Sequence, residues 1–479
     1  MTALRSAAEV SARPAVRGAA RRGTAWWAGA AVFLLTLVVL FAAYLRLSNT
    51  YPENSDEANI LLMASDLAHG NLYLSGWNVS DVPFITTELP PIALLVTLFG
   101  LHLSTAHLAA ALTYTIVVAI AMLVAKGRAR GPRAIVAMAI ALAILLAPQP
   151  GVGVFVMIFS VGHIGTAAPV MLTWLVLDRC GCPPGRRSPV PPTRGEPPRT
   201  PQARPMAKRA IGSDARMEGA LGSPRRSWYV LVVVGVLLAW ALMADPLVLV
   251  IAVGPALAVG ALRREWPLVA AAGLAYPVAW CGGRLLRAAG GYTQQPVPFA
   301  LDPVGTWYGH ARIAAHGLLE MFGAFFLPGN AINHLGPGNY VAAPALSGLA
   351  EAVAVTRLAC VALAVLGAGA IARRFFRRDA DLVSQLLLAG LVANLAAYVP
   401  SSLADHTALN AREFAPVLPF AAVLAARGLC FLPGGRPPVP PDVRAAGPDR
   451  KKRDLIRPAR PDKSFGASDN VPRGGDPPY

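Results

Sequence analysis

Asp56 and Glu57 are adjacent carboxylates in the stretch Asn54-Ser55-Asp56-Glu57-Ala58-Asn59, a few residues past the first long apolar segment. Neighbouring residues at a helix start point in different directions, so one carboxylate can face a reacting group while the other holds a neighbouring group in position. Close to low-dielectric lipid a carboxylate binds its proton more tightly, which suits a general base that takes the proton from an attacking hydroxyl. Such a hydroxyl could attack a sugar carbon. A phosphate-bearing leaving group would need a compensating cation, and Arg412 stands at the start of the last apolar segment. Asp81 and Glu88 lie later in the same polar loop, and Asp245 and the pair Asp405-His406 are carried on short turns between later apolar blocks. His163, near Gly162 and Gly165, falls inside an apolar block, where an ionisable side chain is often functional.

Each of these residues also has a plainer reading. Asp56 and Glu57 suit solvated loop charges or a helix cap, and so do Asp81 and Glu88 as loop charges. The glycines beside His163 suit close helix packing around a neutral, hydrogen-bonded imidazole. Asp245, directly before Pro246, suits a cap on the following helix, and Arg412 suits an interfacial anchor that snorkels to the membrane surface.

The elements that must position these residues are apolar helices. The 479-residue chain is 55% hydrophobic and 14% charged, whereas a soluble protein carries about a quarter charged residues. Its apolar residues come in blocks of roughly 20, long enough to cross a bilayer core as helices. The expected fold is therefore an all-α polytopic transmembrane bundle. The formal net charge of +17 does not indicate nucleic acid, because the Lys and Arg fall in loops and tails between apolar blocks. Cys180 and Cys182 sit in a basic loop, and Cys281, Cys360 and Cys430 are scattered. Neither a disulfide framework nor a zinc site is expected.

Residues 1–23 read as a basic disordered tail, 24–432 as the membrane domain and 433–479 as a Pro- and Arg-rich disordered tail. About ten spans are expected, the first of them uncleaved. Two large polar loops, 46–103 and 287–346, separate them, as does a disordered Arg- and Pro-rich loop, 178–227. In the first polar loop, Ile60, Leu61, Ala64, Leu67 and Ala68 recur at helical spacing and predict an amphipathic interfacial helix over 57–69. The apolar stretch 91–103 is too short for a span and reads as interfacial or re-entrant. With a cytoplasmic amino terminus, the alternation of spans puts most basic loops and both termini on the cytoplasmic side of the plasma membrane. Asp56, Asp245 and Asp405 then face outward. Arg284 and Arg287 are the exceptions.

An early acidic pair just after the first span, an interfacial helix and many further spans resemble the GT-C superfamily of glycosyltransferases, which includes protein O-mannosyltransferases and lipid A aminoarabinose transferases. The closing stretch Asn410-Ala411-Arg412-Glu413-Phe414-Ala415-Pro416-Val417-Leu418-Pro419-Phe420 is similar to the late segment of many bacterial members, and the Arg-, Ala- and Pro-rich style resembles an actinobacterial protein. The resemblance implies a GT-C-like bundle and transfer of a sugar from a polyprenyl-phosphate donor to a glycan, lipid or protein acceptor outside the cytoplasm. It implies Asp56 as base, Glu57 and Asp81 positioning the acceptor or a metal, and Arg412 at the lipid phosphate. Glu88, His163, Asp245, Asp405 and His406 are further candidate substrate-binding residues. No cofactor is assigned, although paired carboxylates also suit a divalent cation such as Mg2+ or Mn2+. The alternative is a transporter or lipid-linked-sugar flippase with His163 and Asp245 in the translocation path, which would call for inverted repeats; the sequence shows no internal repeat.

Overall fold

In the computed structural model, residues 27–50, 55–80, 82–146, 148, 152–159, 163–180, 224–295, 300–325, 348–377, 381–404 and 408–430 are described. Asn54, Asp81, Asp405, His406 and both tails lie outside them. The described chain is predominantly helical. In order, its helices are α1 (Trp27–Ser48), α2 (Ser55–Ala68), α3 (Leu89–Phe99), α4 (Leu103–Lys126), α5 (Pro132–Leu145), α6 (His163–Cys180), α7 (Pro224–Ala244), α8 (Gly254–Arg263), α9 (Trp266–Ala288), α10 (Trp307–Met321), α11 (Gly348–Ala372), α12 (Leu382–Tyr398) and α13 (Val417–Cys430). Two single π turns, Phe155–Phe159 and Leu249–Val253, precede α6 and α8, and a 3-10 segment, Ala408–Phe414, precedes α13.

Among the described residues, four segments are long and apolar enough to cross a membrane: α1, α4, α9 and Glu351–Ala372 of α11. Leu89–Phe99, Pro132–Leu145, Trp228–Ala244, Leu249–Arg263 and Leu382–Tyr398 are shorter apolar helices. The sequence expectation of about ten spans thus meets four helices of full span length. On α1 the side chains of Val32, Leu34, Leu35, Val38 and Val39 are exposed, while Leu40 and Tyr44 pack into the core. An apolar face of that size needs a lipid or protein cover.

The helix predicted over 57–69 is present as α2, but its apolar face does not lie open. Ile60, Leu61, Met63 and Ala64 are buried in a small core with Leu89, Ile92 and Val96 of α3. The periodicity was real, but its partner is another helix. The apolar stretch after it is helical over 11 residues, about 16 Å, roughly half a bilayer core.

α5 is also short, 14 residues. Its last carbonyls would be orphans inside the bundle, and three side chains take them up. Arg357 of α11 donates to Ala143 O (2.7 Å) and Ile144 O (2.8 Å). Tyr114 OH donates to Leu145 O (2.9 Å), and Tyr44 OH reaches Leu146 O (3.2 Å). Backbone that stops within an apolar environment needs such partners.

At one end of the bundle the polar loops are tied to each other. Asn78–Val79 and Thr293–Gln294 form a two-residue parallel strand pair in the register Asn78↔Thr293. Asp302 N donates to Pro400 O (2.8 Å) and His310 Nδ1 to Val399 O (2.9 Å). Phe84 N donates to Ala244 O (3.1 Å), Thr86 Oγ1 to Trp240 O (2.7 Å), and Trp240 Nε1 back to Thr86 O.

The other end is closed by a buried cation. Arg427 of α13 donates from Nε to Val124 O of α4 (2.8 Å) and from Nη1 to Asp381, the N-cap of α12. Its Nη2 stands 3.0 Å from Asp178 Oδ2 near the end of α6, an ion pair without hydrogen-bond alignment. One guanidinium so ties four helices together. Above this lock α11 and α13 approach backbone to backbone. A Cβ on Gly428 would stand 2.3 Å from Gly367 O, the small-residue contact expected of helices packed without large side chains between them.

Burial pushes the Asp381 carboxyl up, but Arg427 and the Ser384 hydrogen bonds outweigh it and hold it below the usual carboxylate range. A group with a depressed folded value stabilises above its unfolded value, about 3.9, and loses that contribution as pH falls through the folded one. Unfolding of the detergent-solubilised protein should therefore become easier below about pH 4, and less steeply so in Asp381→Asn. Arg427→Met should cost about 3–5 kcal/mol by leaving two carboxylates without their cation. Adding Asp178→Asn and Asp381→Asn should restore part of it. Unchanged unfolding of the single variant would remove the lock.

Candidate functional site

The residues that could do chemistry converge from five elements. α2 begins at Ser55, with Asp56 and Glu57 in its first turn, where carboxylates oppose the helix dipole. The two diverge as adjacent helical residues must. Asp56 is 54% exposed and its Oδ2 lies 3.0 Å from Arg412 Nη1. Glu57 is buried.

Arg412 and Glu413 come from the 3-10 segment before α13. Arg412 faces Asp56, and its Nε lies 3.9 Å from Glu413 Oε1. Glu413 Oε2 in turn meets His163 Nε2 at 2.8 Å, and His163 Nδ1 meets Asp245 Oδ2 at 2.6 Å. A neutral imidazole has one N–H, so two short contacts to carboxylates require a second proton, held on the ring or on one of the carboxyls. His163 and Asp245 are buried.

Asp245 makes a local turn contact and a set of buried contacts to α6. Its Oδ1 accepts from Leu247 N (2.8 Å), the turn-stabilising bond of an Asp before Pro. Its Oδ2 accepts from Thr166 Oγ1 (2.7 Å) as well as facing His163. Thr166 is three residues past His163 and so lies on the same face of α6. The π turns flank this cluster. One, Leu249–Val253, follows directly on the Asp245 turn, and the other, Phe155–Phe159, packs beside the 3-10 segment that bears Glu413. A π turn displaces the residues after it by one position, a common device for aiming a side chain at a functional site.

Glu88 enters from the start of α3. Its Oε1 occupies the notch left by Gly165 of α6, 1.7 Å from where a Cβ would stand. Its Oε2 is buried with no hydrogen-bond partner among the described residues. Burial raises this carboxyl to about 8, the Asp245 charge adds to the rise, and His163 opposes it.

Two cavities share Glu88. The smaller lies between α2, α3 and α4, against Ile158 and Ile164, and has Glu57 and Glu88 as its acidic lining. The larger is a groove bounded by α3, α4, α6 and α7. Thr87 and Glu88 stand in its wall, and Ile116, Ile120, Leu172, Leu237 and Trp240 carry it along the bundle. Ile116, Leu172 and Trp240 are exposed on the bundle surface. No basic side chain lines either cavity among the described residues.

Of the residues singled out from the sequence, Asp56, Glu57, Glu88, His163, Asp245 and Arg412 thus belong to one neighbourhood. Asp81, Asp405 and His406 fall outside the described residues. Asp56 does not line the cavities; Glu57 and Glu88 do. Glu413 and Thr166 were not anticipated. The adjacency of Arg412 and Glu413 was a signal for the first, and the i, i+3 spacing from His163 for the second. No group of His, Cys, Asp and Glu with the geometry to hold a metal ion occurs among the described residues. Comparison with protein-family models, with curated proteins and with solved structures gave no match.

Removing the imidazole alone would strand Asp245 and Glu413. His163→Leu should destabilise the protein by about 3–5 kcal/mol, read from unfolding in detergent. Combining it with Asp245→Asn and Glu413→Gln should recover most of the loss. A single variant as stable as the parent would show that the cluster does not hold these elements together.

Proposed function

We propose that the protein is an integral-membrane glycosyltransferase of the GT-C type. It would move a hexose or pentose from a polyprenyl phosphate to a glycan, lipid or protein acceptor. The observation that carries this reading is the joining of a long apolar groove, with Glu88 in its wall, to the chain Asp56–Arg412–Glu413–His163–Asp245. A prenyl tail suits the groove, whose lining is apolar and whose rim is exposed where lipid would lie. The phosphate suits Arg412.

In this reading α1, α4 to α9 and α11 to α13 are ten crossings of the plasma membrane. The tied polar loops stand outside. The Arg427 lock stands on the cytoplasmic side with Lys126, Arg128, Arg263, Arg374 and both termini, as the positive-inside tendency favours.

The Asp56–Arg412 pair is half exposed, and such pairs contribute about 0–1 kcal/mol, so an incoming phosphate can take Arg412 at little cost. Asp56 then becomes the base. The acceptor O–H adds to the anomeric carbon, its proton passes to Asp56, and the carbon–oxygen bond to phosphate breaks with its electron pair on the lipid phosphate. Configuration at the sugar inverts. In this reading Glu57, buried at the start of α2, would position the acceptor together with Asp81, which lies outside the described residues, with or without a divalent cation.

A second reading has one specific observation in its favour. His163 and Asp245 do meet inside the bundle, as a translocation path would use them. A flippase of this kind would deliver the sugar-lipid intact to the other leaflet.

Purified protein in liposomes with a labelled polyprenyl-phosphate sugar should release polyprenyl phosphate and label the acceptor. Asp56→Asn should lower kcat by about 100-fold or more while donor binding persists. Arg412→Met should raise KM for the donor and lower kcat together. Transfer at the parent rate in Asp56→Asn would remove the base, and intact label accumulating in the opposite leaflet would favour the flippase.

A further inference from the structure

Glu88 is the one acid that lines both cavities. It is 6% exposed, Oε1 is wedged against α6 at Gly165, and Oε2 points to no partner among the described residues. The groups that face it are Glu57 from α2 across the small cavity, and Asp245 and His163 from the α7 turn and α6, with Glu413 behind the imidazole. Three of these four neighbours are carboxyls. An ionised Glu88 would repel them, and it would repel a phosphate lodged at this point of the groove still more. A neutral carboxyl has the opposite character, since it carries one O–H that can donate to an anionic oxygen.

We propose that Glu88 acts as a neutral acid that donates its O–H to a phosphate oxygen of the lipid carrier as the sugar departs. This rests on the transferase reading above. As the bond between the anomeric carbon and the phosphate oxygen breaks, the electron pair settles on the phosphate, and the Glu88 proton shifts toward it. The leaving lipid phosphate carries that proton away, and Glu88 regains one from solvent, into which Asp56 releases the proton taken from the acceptor. Glu88 supplies its proton from the buried side of the groove, whose wall carries no basic side chain among the described residues. The raised affinity of this carboxyl for its proton keeps it in the donating form at neutral pH.

Two measurements test it. The first is binding of undecaprenyl phosphate, without sugar, to the purified full-length protein in detergent at pH 6.5 and pH 9, with inorganic phosphate as a parallel probe. Wild type should bind the lipid at least about tenfold more weakly at pH 9, following ionisation across a value near 8. Glu88→Gln, which keeps a donor but cannot ionise, should show no such step. Inorganic phosphate should bind far more weakly at both pH values, because it lacks the tail that the groove holds. The second is the pH profile of kcat for sugar transfer. Wild type should decline above about pH 8. Glu88→Gln should show kcat lowered about tenfold or more with KM little changed and no alkaline decline. Glu88→Asp, one methylene shorter, should keep the alkaline decline at a lower rate.

An identical pH step in wild type and Glu88→Gln overturns the proposal while leaving the transferase reading intact. Absence of transfer from every donor, with the Glu88-dependent binding step present, overturns the transferase reading and leaves Glu88 as the acid of a lipid-phosphate site. A loss confined to KM in Glu88→Gln overturns the proton-donating role.

Discussion

An imidazole with a carboxylate on each ring nitrogen fixes more of this molecule than any other contact. His163 is buried, and each of its neighbours Asp245 and Glu413 arrives on a different element. Moving α6 relative to the α7 turn or to the 3-10 segment would separate charges in a low-dielectric medium, where an unpaired ion is penalised by several kcal/mol. The constraint propagates. Asp245 is held by its own turn and by Thr166, so it cannot swing to accommodate a shift. Glu413 is preceded by Arg412, whose half-exposed pair with Asp56 brings residues more than 350 positions apart into contact without holding them there.

The opposite end is organised by the same physics with the signs reversed. There a buried guanidinium gathers Asp178, Asp381 and the carbonyl end of α4. Both clusters use α13, which begins just past Glu413 and carries Arg427 in its last turn. Beside the guanidinium, α13 is packed so closely on α11 that only glycine fits at Gly367 and Gly428. A rod pinned at both ends keeps the spacing between the polar loops and the basic end constant.

How much of this the sequence disclosed depended on the range of the interaction. The divergence of Asp56 and Glu57 follows from helix geometry alone. The predominantly helical character follows from apolar blocks, and the turn at Asp245-Pro246 from local chemistry. His163, Asp245 and Arg412 could be suspected because charge is scarce in this chain. Their partners could not be named, since a pair separated by 82 positions, as His163 and Asp245 are, leaves no periodic trace. The apolar face of α2 shows the limit of pattern reading in a membrane chain. Periodicity identifies a face that must be covered, but the same stripe serves lipid or α3 equally well. Span number was legible only in part: the apolar blocks foretell apolar helices, and four of those among the described residues have full span length. The apolar blocks were visible, yet hydropathy cannot say where a helix stops when Arg357, Tyr44 and Tyr114 from other helices take up the carbonyls at its end.

The early stop of α5 bears on why a polar cluster can exist here at all. A helix of 14 residues rises about 21 Å, leaving part of a bilayer core of about 30 Å unfilled along its axis. The chain then continues as the short turn-like pieces Val152–Val154 and Phe155–Phe159, which pack against α10 and the 3-10 segment. Glu413 rides on that segment. Irregular backbone is tolerated at such depth only where other protein groups satisfy it, and the caps on α5 provide this. The full-length helices α1, α9 and α11 are largely exposed, so lipid can cover the outside while the broken elements fold inward. The polar site is in this way built where short and irregular pieces meet the ends of α6 and α7, and the apolar groove beside it is walled by α4, α6 and α7, with short α3 leaving Glu88 at the junction of the two.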